Sequence, residues 1–208
     1  YIIRNKSVVI CLIVTFLTIM AHYGLYTYIA PLVDHIDLVG GIKLASLVFG
    51  IGTIVSVILA AKVVDEHLGA LTLFMLSLAF GTMFLFVGFG DVFIVAHIGF
   101  FLWGVSFGAL VSIFQTAVTR QVETGKDVAT SMQSSTFNFG IVFGSALGGT
   151  ILDNFSVMHI VYLTISLLVI PILLSIFARK TFWHKEETET ETNQTTLSTA
   201  KIVESGKI

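Results

Sequence analysis

Hydrophobic and polar positions alternate along this chain on a coarse scale. Six stretches, 7–33, 41–64, 68–90, 92–118, 128–152 and 157–178, are free of charged side chains apart from Lys43 and Lys62, near the two ends of the second. Each is at least about 20 residues long, enough for a helix to cross a hydrocarbon core of ~30 Å. The pattern predicts an all-α membrane protein with six transmembrane helices. A transmembrane barrel would instead show strands of about ten residues with alternating polarity. Lys43 can carry its charge to the interface along its aliphatic stem.

Composition agrees. Of 208 residues, 55% are hydrophobic and 12% charged, against about 25% charged in soluble domains; the mean hydropathy is +0.95. A net charge of −2 without a basic patch gives nucleic acid no purchase, and the single cysteine, Cys11, excludes an internal disulfide. Basic residues collect at one side: Arg4, Lys6, Lys62, Arg120, Lys126 and the group at 179–185, against Lys43 at the other. The positive-inside bias then puts both termini in the cytoplasm of a cell that carries this chain in its cytoplasmic membrane. Residues 1–6 read as the end of a cytoplasmic loop and 7–179 as the six-helix bundle. Residues 180–208, rich in Thr and Glu, have too little apolar surface to fold and are expected to form a disordered cytoplasmic tail.

Shifted by 88 residues, the chain lies over itself without a gap, 7–33 on 95–121, 41–64 on 129–152 and 68–90 on 156–178. The clearest pairing sets FGIGTIVSVILAAKVVD (49–65) against FNFGIVFGSALGGTILD (137–153), with Gly52 on Gly140, Ser56 on Gly144 and Asp65 on Asp153. Small residues recur every fourth position in both copies, including Gly140, Gly144 and Gly148, the spacing that lets membrane helices pack closely. Gly104 and Gly108 form a similar ridge in the fourth stretch. Three spans per copy would make the second copy enter from the opposite side, the inverted repeat found in secondary transporters.

Polar residues fall on stripes of three spans. Thr15, Thr18, His22 and Tyr26 share a face of the first, with Tyr23 and Thr27 beside it. Ser112, Gln115 and Thr119 share a face of the fourth, where Trp103 and Ser106 lie farther out. Ser131, Ser134, Asn138 and Ser145 share a side of the fifth, roughly 110° from the glycine ridge at ~100° per residue. The third span carries phenylalanines, Phe74, Phe80, Phe84, Phe86 and Phe89, that suit lipid, and with the sixth reads as scaffold. Histidine and tyrosine at mid-membrane depth are costly unless they face protein or water, so the three stripes mark a candidate solute route.

GLYTYIAPLV in the first span, FLWGVSFGALVSIFQTAV in the fourth and STFNFGIVFGSALGGTIL in the fifth resemble the seventh, tenth and eleventh helices of the major facilitator superfamily. The likeness is to its bacterial drug/proton antiporter branch, which includes sugar, purine and chloramphenicol efflux permeases, and it covers about 7–180. The resemblance implies two six-helix bundles around a central site, with this chain the C-terminal bundle and the N-terminal half a missing partner. A chain that starts at Tyr1 fits that expectation. Two features depart from the family pattern. The loop after the second span reads AKVVDEHLGAL, with Ala61 in place of a glycine, one extra residue before Gly69 and no basic residue after it; Asp65 would still serve as a gate anchor to a helix N-terminus of the other half. No Asp or Glu lies within a span, so the coupling carboxylate is expected on the absent half, with His22 as the alternative proton carrier.

GVSFG (104–108) matches the G-x-S-x-G of hydrolases, yet it lies mid-span rather than at a strand-turn-helix junction, and the histidines lack metal-ligand spacing. The expectation is therefore a carrier without enzymatic activity, metal or cofactor, driven by the proton gradient, that exports a small organic solute across the lipid bilayer. His22, Tyr23, Tyr26, Thr27, Trp103, Gln115, Ser134 and Asn138 would line its site, Asp65 would gate it, and Gly52, Gly104, Gly108, Gly140, Gly144 and Gly148 would serve helix packing. A six-span homo-oligomeric channel, a half-transporter or an inactive truncated remnant are the alternatives.

Overall fold

The computed structural model describes residues 4–178. Arg179 and the tail expected to be disordered, 180–208, lie outside the described residues, as do residues 1–3. The described chain is helical, with helices α1 (Lys6–Tyr26), α2 (Ile29–His35), α3 (Gly41–Val63), α4 (Leu68–Phe89), α5 (Phe93–Phe107), α6 (Leu110–Arg120), α7 (Lys126–Asn154) and α8 (Val157–Phe177). Six segments are long and apolar enough to cross a membrane: α1, α3, α4, α7, α8, and α5 with α6 as one run, Phe93–Arg120. No strand occurs among the described residues.

Two of the stretches expected to be continuous are broken, each for a local reason. The first stops at Tyr26 and restarts at Ile29. Pro31 lacks the N–H that would bond the Thr27 carbonyl and its ring would collide there, so proline is tolerated only in the first turn of a new helix. At the break, the Thr27 hydroxyl donates to the Tyr23 carbonyl at 2.7 Å and Tyr28 N–H donates to Leu25 O at 2.9 Å. The fourth breaks at Gly108 and Ala109. There the Ala109 N–H leaves the helix pattern and donates to Ser56 Oγ of α3 at 3.1 Å.

Packing is arranged around α1 and α5. α1 lies on α7 and α8, α5 lies on α3 and α4, and α4 meets α8. The α1–α7 seam is closed by glycine: a Cβ at Gly144 would press on the Met20 carbonyl and lie 3.0 Å from Gly24 N. The α3–α5 seam is built the same way. A Cβ on Gly52 would strike the Phe101 carbonyl, one on Gly104 the Phe49 carbonyl, and one on Gly108 would lie 2.6 Å from Thr53 O. Close backbone approach maximises dispersion contact where lipid supplies no hydrophobic drive between helices.

One end of the bundle is tied by capping. Asn5 caps α1, its Oδ1 accepting from Ser7 N–H at 2.9 Å, while its Nδ2 donates to the Gln121 carbonyl just past α6. Nearby, Arg120 reaches the turn after α3, donating to Asp65 O at 2.9 Å.

Apolar side chains form two buried clusters. One, towards this capped end, contains Val8, Cys11, Leu76, Ile113 and Phe114; the other contains Leu25, Leu32, Phe86, Phe100 and Trp103. The outward phenylalanines of α4 are Phe74, Phe84 and Phe89, all exposed. Phe86 is a correction to the lipid-facing expectation. It is buried, because Gly99 of α5 leaves room for its ring, with Phe86 Cε1 only 2.9 Å from where a Cβ would stand. Phe80 is half-buried against the first cluster.

Candidate functional site

His22 is the centre of an aromatic group drawn from three helices. Its side chain is buried, 6% exposed, and its ring lies parallel to Phe107 with centroids 3.2 Å apart. Tyr26 stacks beyond it at 5.2 Å, Tyr23 meets it edge-on at 5.1 Å, and Phe49 of α3 lies at 6.2 Å. Trp103 Nε1 donates to His22 Nδ1 at 3.1 Å. An indole N–H can only donate, so Nδ1 is the acceptor nitrogen and the proton of the neutral ring sits on Nε2. Helical spacing brings these groups together: His22, Tyr23 and Tyr26 come from the last turns of α1, Trp103 and Phe107 from consecutive turns of α5.

From this buried centre the wall opens outward. Tyr26 is 36% exposed and also contacts Phe49 and Trp103, at 5.1 and 6.0 Å. Thr27 is exposed and pairs with Ser145 of α7, Oγ1 to Oγ at 2.8 Å. Because the Thr27 proton already goes to Tyr23 O, Ser145 is the donor in that pair. Tyr28 adds a second tie, its hydroxyl donating to the Ser145 carbonyl at 2.8 Å. The α1–α2 break is thus pinned to the middle of α7.

The remaining sequence candidates stand apart. Gln115 on α6 and Ser134 and Asn138 on α7 are exposed, and among the described residues no hydrogen bond or ring contact joins them to the His22 group. Asp65 is exposed in the turn between α3 and α4, with Arg120 Nη2 at 3.4 Å from its Oδ1. An exposed pair of this kind contributes at most about 1 kcal/mol. The six packing glycines all lie in helix seams: Gly52 faces Gly104 across α3–α5 with Gly108 against Thr53, and Gly140, Gly144 and Gly148 run along α1. Ser106, the serine of GVSFG, is buried at the end of α5, before the break at Gly108, and donates to the Trp103 carbonyl at 2.8 Å; helix flanks it on both sides of the break, not the strand-turn-helix of a nucleophile elbow.

Several participants escaped the sequence reading. Phe49 and Phe107 look like ordinary apolar residues, and nothing in their local pattern distinguishes a ring that covers a histidine from one that meets lipid. Gln133 had a usable signal. It lies seven residues before Gly140 and so on the ridge side of α7, and it is buried against Thr15, donating to Oγ1 at 2.9 Å. Thr15 and Thr18, placed on the polar stripe of the first span, are buried among helices. A groove of about 400 Å³ between α1 and α7 has only Thr136 as a polar lining residue, with Leu12, Phe16, Phe139 and Phe143 among the rest, and touches none of the candidate residues.

The wall offers flat aromatic faces, each with at most one polar handle, beside the Thr27 and Ser145 hydroxyls. Such a surface suits a neutral solute that combines a ring or sugar face with hydrogen-bonding edges.

No family model matches the chain. It is 28% identical over 163 residues to a probable sugar efflux transporter of Mannheimia succiniciproducens, covering 76% of this chain and 41% of that protein. It is 27% identical over 177 residues to the purine ribonucleoside efflux pump NepI of Salmonella paratyphi C, covering 83% of this chain and 44% of the pump. The same pump of Salmonella typhimurium matches to the same extent. The chain therefore spans less than half the length of these relatives. Its helices and this likeness make it a multi-pass helical membrane protein similar to efflux transporters.

Proposed function

We propose that this chain is one six-helix bundle of a secondary carrier that exports a small neutral solute, of sugar or nucleoside type, by alternating access. The observation that carries the reading is the His22 wall: a buried imidazole held by Trp103, opening through Tyr26 and Thr27 to an exposed polar side on α7. Polar aromatic groups in membrane-crossing helices are costly unless they meet protein partners, a solute or water, and here the wall is partnered on one side and open on the other. Sugar and purine ribonucleoside efflux by the similar proteins supports the solute class.

The packing supports an inverted repeat. When each helix is exchanged for its partner 88 residues on, the α1–α7 seam becomes the α5–α3 seam, and the α1–α8 contact becomes the α5–α4 contact. In this reading the bundle is the major facilitator type, the exposed faces of α1, α6 and α7 meet a second bundle, and the end that carries Arg120, Lys62 and Lys126 is cytoplasmic. Proton entry drives export, and the coupling carboxylate belongs to the second bundle, since Nδ1 of His22 is engaged as an acceptor by Trp103. Asp65, paired with Arg120 here, releases that partner when it anchors the gate.

The test uses inside-out membrane vesicles from cells that express the native gene product. Uptake of labelled purine ribonucleosides and sugars is measured with and without an imposed pH gradient. Saturable uptake that needs the gradient and falls in a Tyr26→Ala variant supports the carrier. Flux that rises linearly with concentration supports a channel, and absence of flux for every solute overturns the transport reading.

A further inference from the structure

Behind the His22 wall, on the side of α4 and α8, lies a second polar feature. Five threonines are buried among the described residues: Thr15, Thr18, Thr72, Thr82 and Thr164. Four of them donate to the carbonyl four residues earlier, at 2.9 Å for Thr15 and Thr164, 2.8 Å for Thr72 and 2.7 Å for Thr82. Thr18 does not. Its hydroxyl is buried and has no protein partner.

Thr18 lines a cavity of about 10 Å³ between α1, α4, α5 and α8, with Ala79, Met83, Phe107 and Leu168 as apolar walls. The other polar lining groups are His22, Trp103 and Thr164. The cavity is about the volume that admits the centre of one water molecule, and a buried water needs two to four polar partners. Thr164 has its proton committed to Ile160 O and Ala21 O, at 2.9 and 3.2 Å, which leaves its oxygen free to accept. Thr18 has a proton to give and no acceptor. A threonine that turns away from its own helix carbonyl, in a lipid-depth interior where an unmade hydrogen bond is expensive, has a partner in the space it faces.

We propose that this cavity is a resident water site. The water accepts the Thr18 hydroxyl proton, donates to Thr164 Oγ1, and so bridges α1 to α8 at the level of His22. The site depends on the packing of four helices and not on the transport reading. Its consequence for that reading is positional: the turn of α1 that carries His22 is held from behind by the water while Trp103 holds the ring itself.

Two measurements on the full chain in lipid nanodiscs test it. An experimental density map that shows other buried waters should show a peak within hydrogen-bond distance of Thr18 Oγ1 and Thr164 Oγ1; a cavity without a peak overturns the proposal. Thr18→Val keeps the shape and removes the hydroxyl. If the water is present, the variant strands it and Tm falls, by about 3 °C, with Thr18→Ser closer to wild type. If the cavity is dry, the same substitution removes an unsatisfied hydroxyl and adds a methyl to the space, and Tm rises. A rise would overturn the proposal whatever happens to transport.

Discussion

Alanine at Gly144 probes the seam on which the whole bundle depends. A methyl there would press on the Met20 carbonyl and lie 3.0 Å from both Met20 Cα and Gly24 N, all backbone atoms of α1. Backbone in a packed helix cannot swing aside as a side chain can, so α1 and α7 must separate. Overpacking of this sort costs about 1–3 kcal/mol. Alanine also favours the helix over glycine by roughly 0.5–1 kcal/mol, which offsets part of that loss. Gly81, on the exposed side of α4 with nothing within 4 Å of its own Cβ position, isolates the second effect. The helix gain is common to both variants, so the difference between Gly144→Ala and Gly81→Ala is the steric cost alone. For a chain of this size it corresponds to about 3–9 °C in Tm. Thermal unfolding of the full chain in nanodiscs, followed by tryptophan fluorescence, measures it. Gly81→Ala should melt at or above wild type and Gly144→Ala below Gly81→Ala by that margin. Equal melting of the two alanine variants would refute the close approach of α1 and α7.

Three further outcomes are expected. Trp103→Phe keeps an aromatic ring but removes the donor to His22 Nδ1; the loss of one such bond, about 1 kcal/mol, should weaken solute binding roughly fivefold in a binding titration on the complete transporter. Unchanged affinity would separate the His22–Trp103 pair from the site. Tyr26→Ala and Asn138→Ala, both at exposed positions, should lower transport while membrane insertion, followed by protease protection, stays normal; wild-type kinetics in both would sink the wall as a solute site. Gln133→Ala removes the cross-helix donor to the buried Thr15 hydroxyl, which keeps its bond to the Cys11 carbonyl, and denaturant unfolding should show a loss of about 0.5–1.5 kcal/mol. A smaller loss than that of an exposed control such as Ser134→Ala would show that the α1–α7 polar tie contributes nothing.

What could be read from the chain followed from local rules. Long uncharged stretches specify membrane-crossing helices because the bilayer leaves a backbone no other way to satisfy its hydrogen bonds within a single segment. Pro31 marks the end of α1 by the same logic, since the helix cannot carry its ring past Thr27. The small-residue ridges announced close seams, and Gly52, Gly104 and Gly144 now lie against backbone of a neighbouring helix. Which helix each ridge would meet was not legible, because a ridge of glycines fits any partner of similar shape. The polar stripe of the first span was legible as a stripe only. Its two ends face different things: Thr15 and Thr18 turn into protein, while Tyr26 and Thr27 open outward.

The sequence by itself therefore determined the six membrane-crossing stretches, their helical type and the small-residue ridges, since each depends on residues within one helix turn or one helix length. Only the tertiary structure decided that α1 lies between α7 and α8, that Ser56 of α3 takes the Ala109 N–H freed at the break in α5–α6, and that Trp103 rather than any nearer residue holds His22. Those partners are 53 and 81 residues apart in the chain. A hydrogen bond across that distance is set by the angles at which whole helices cross, and helix crossing is decided by the summed fit of many side chains, which no local pattern contains.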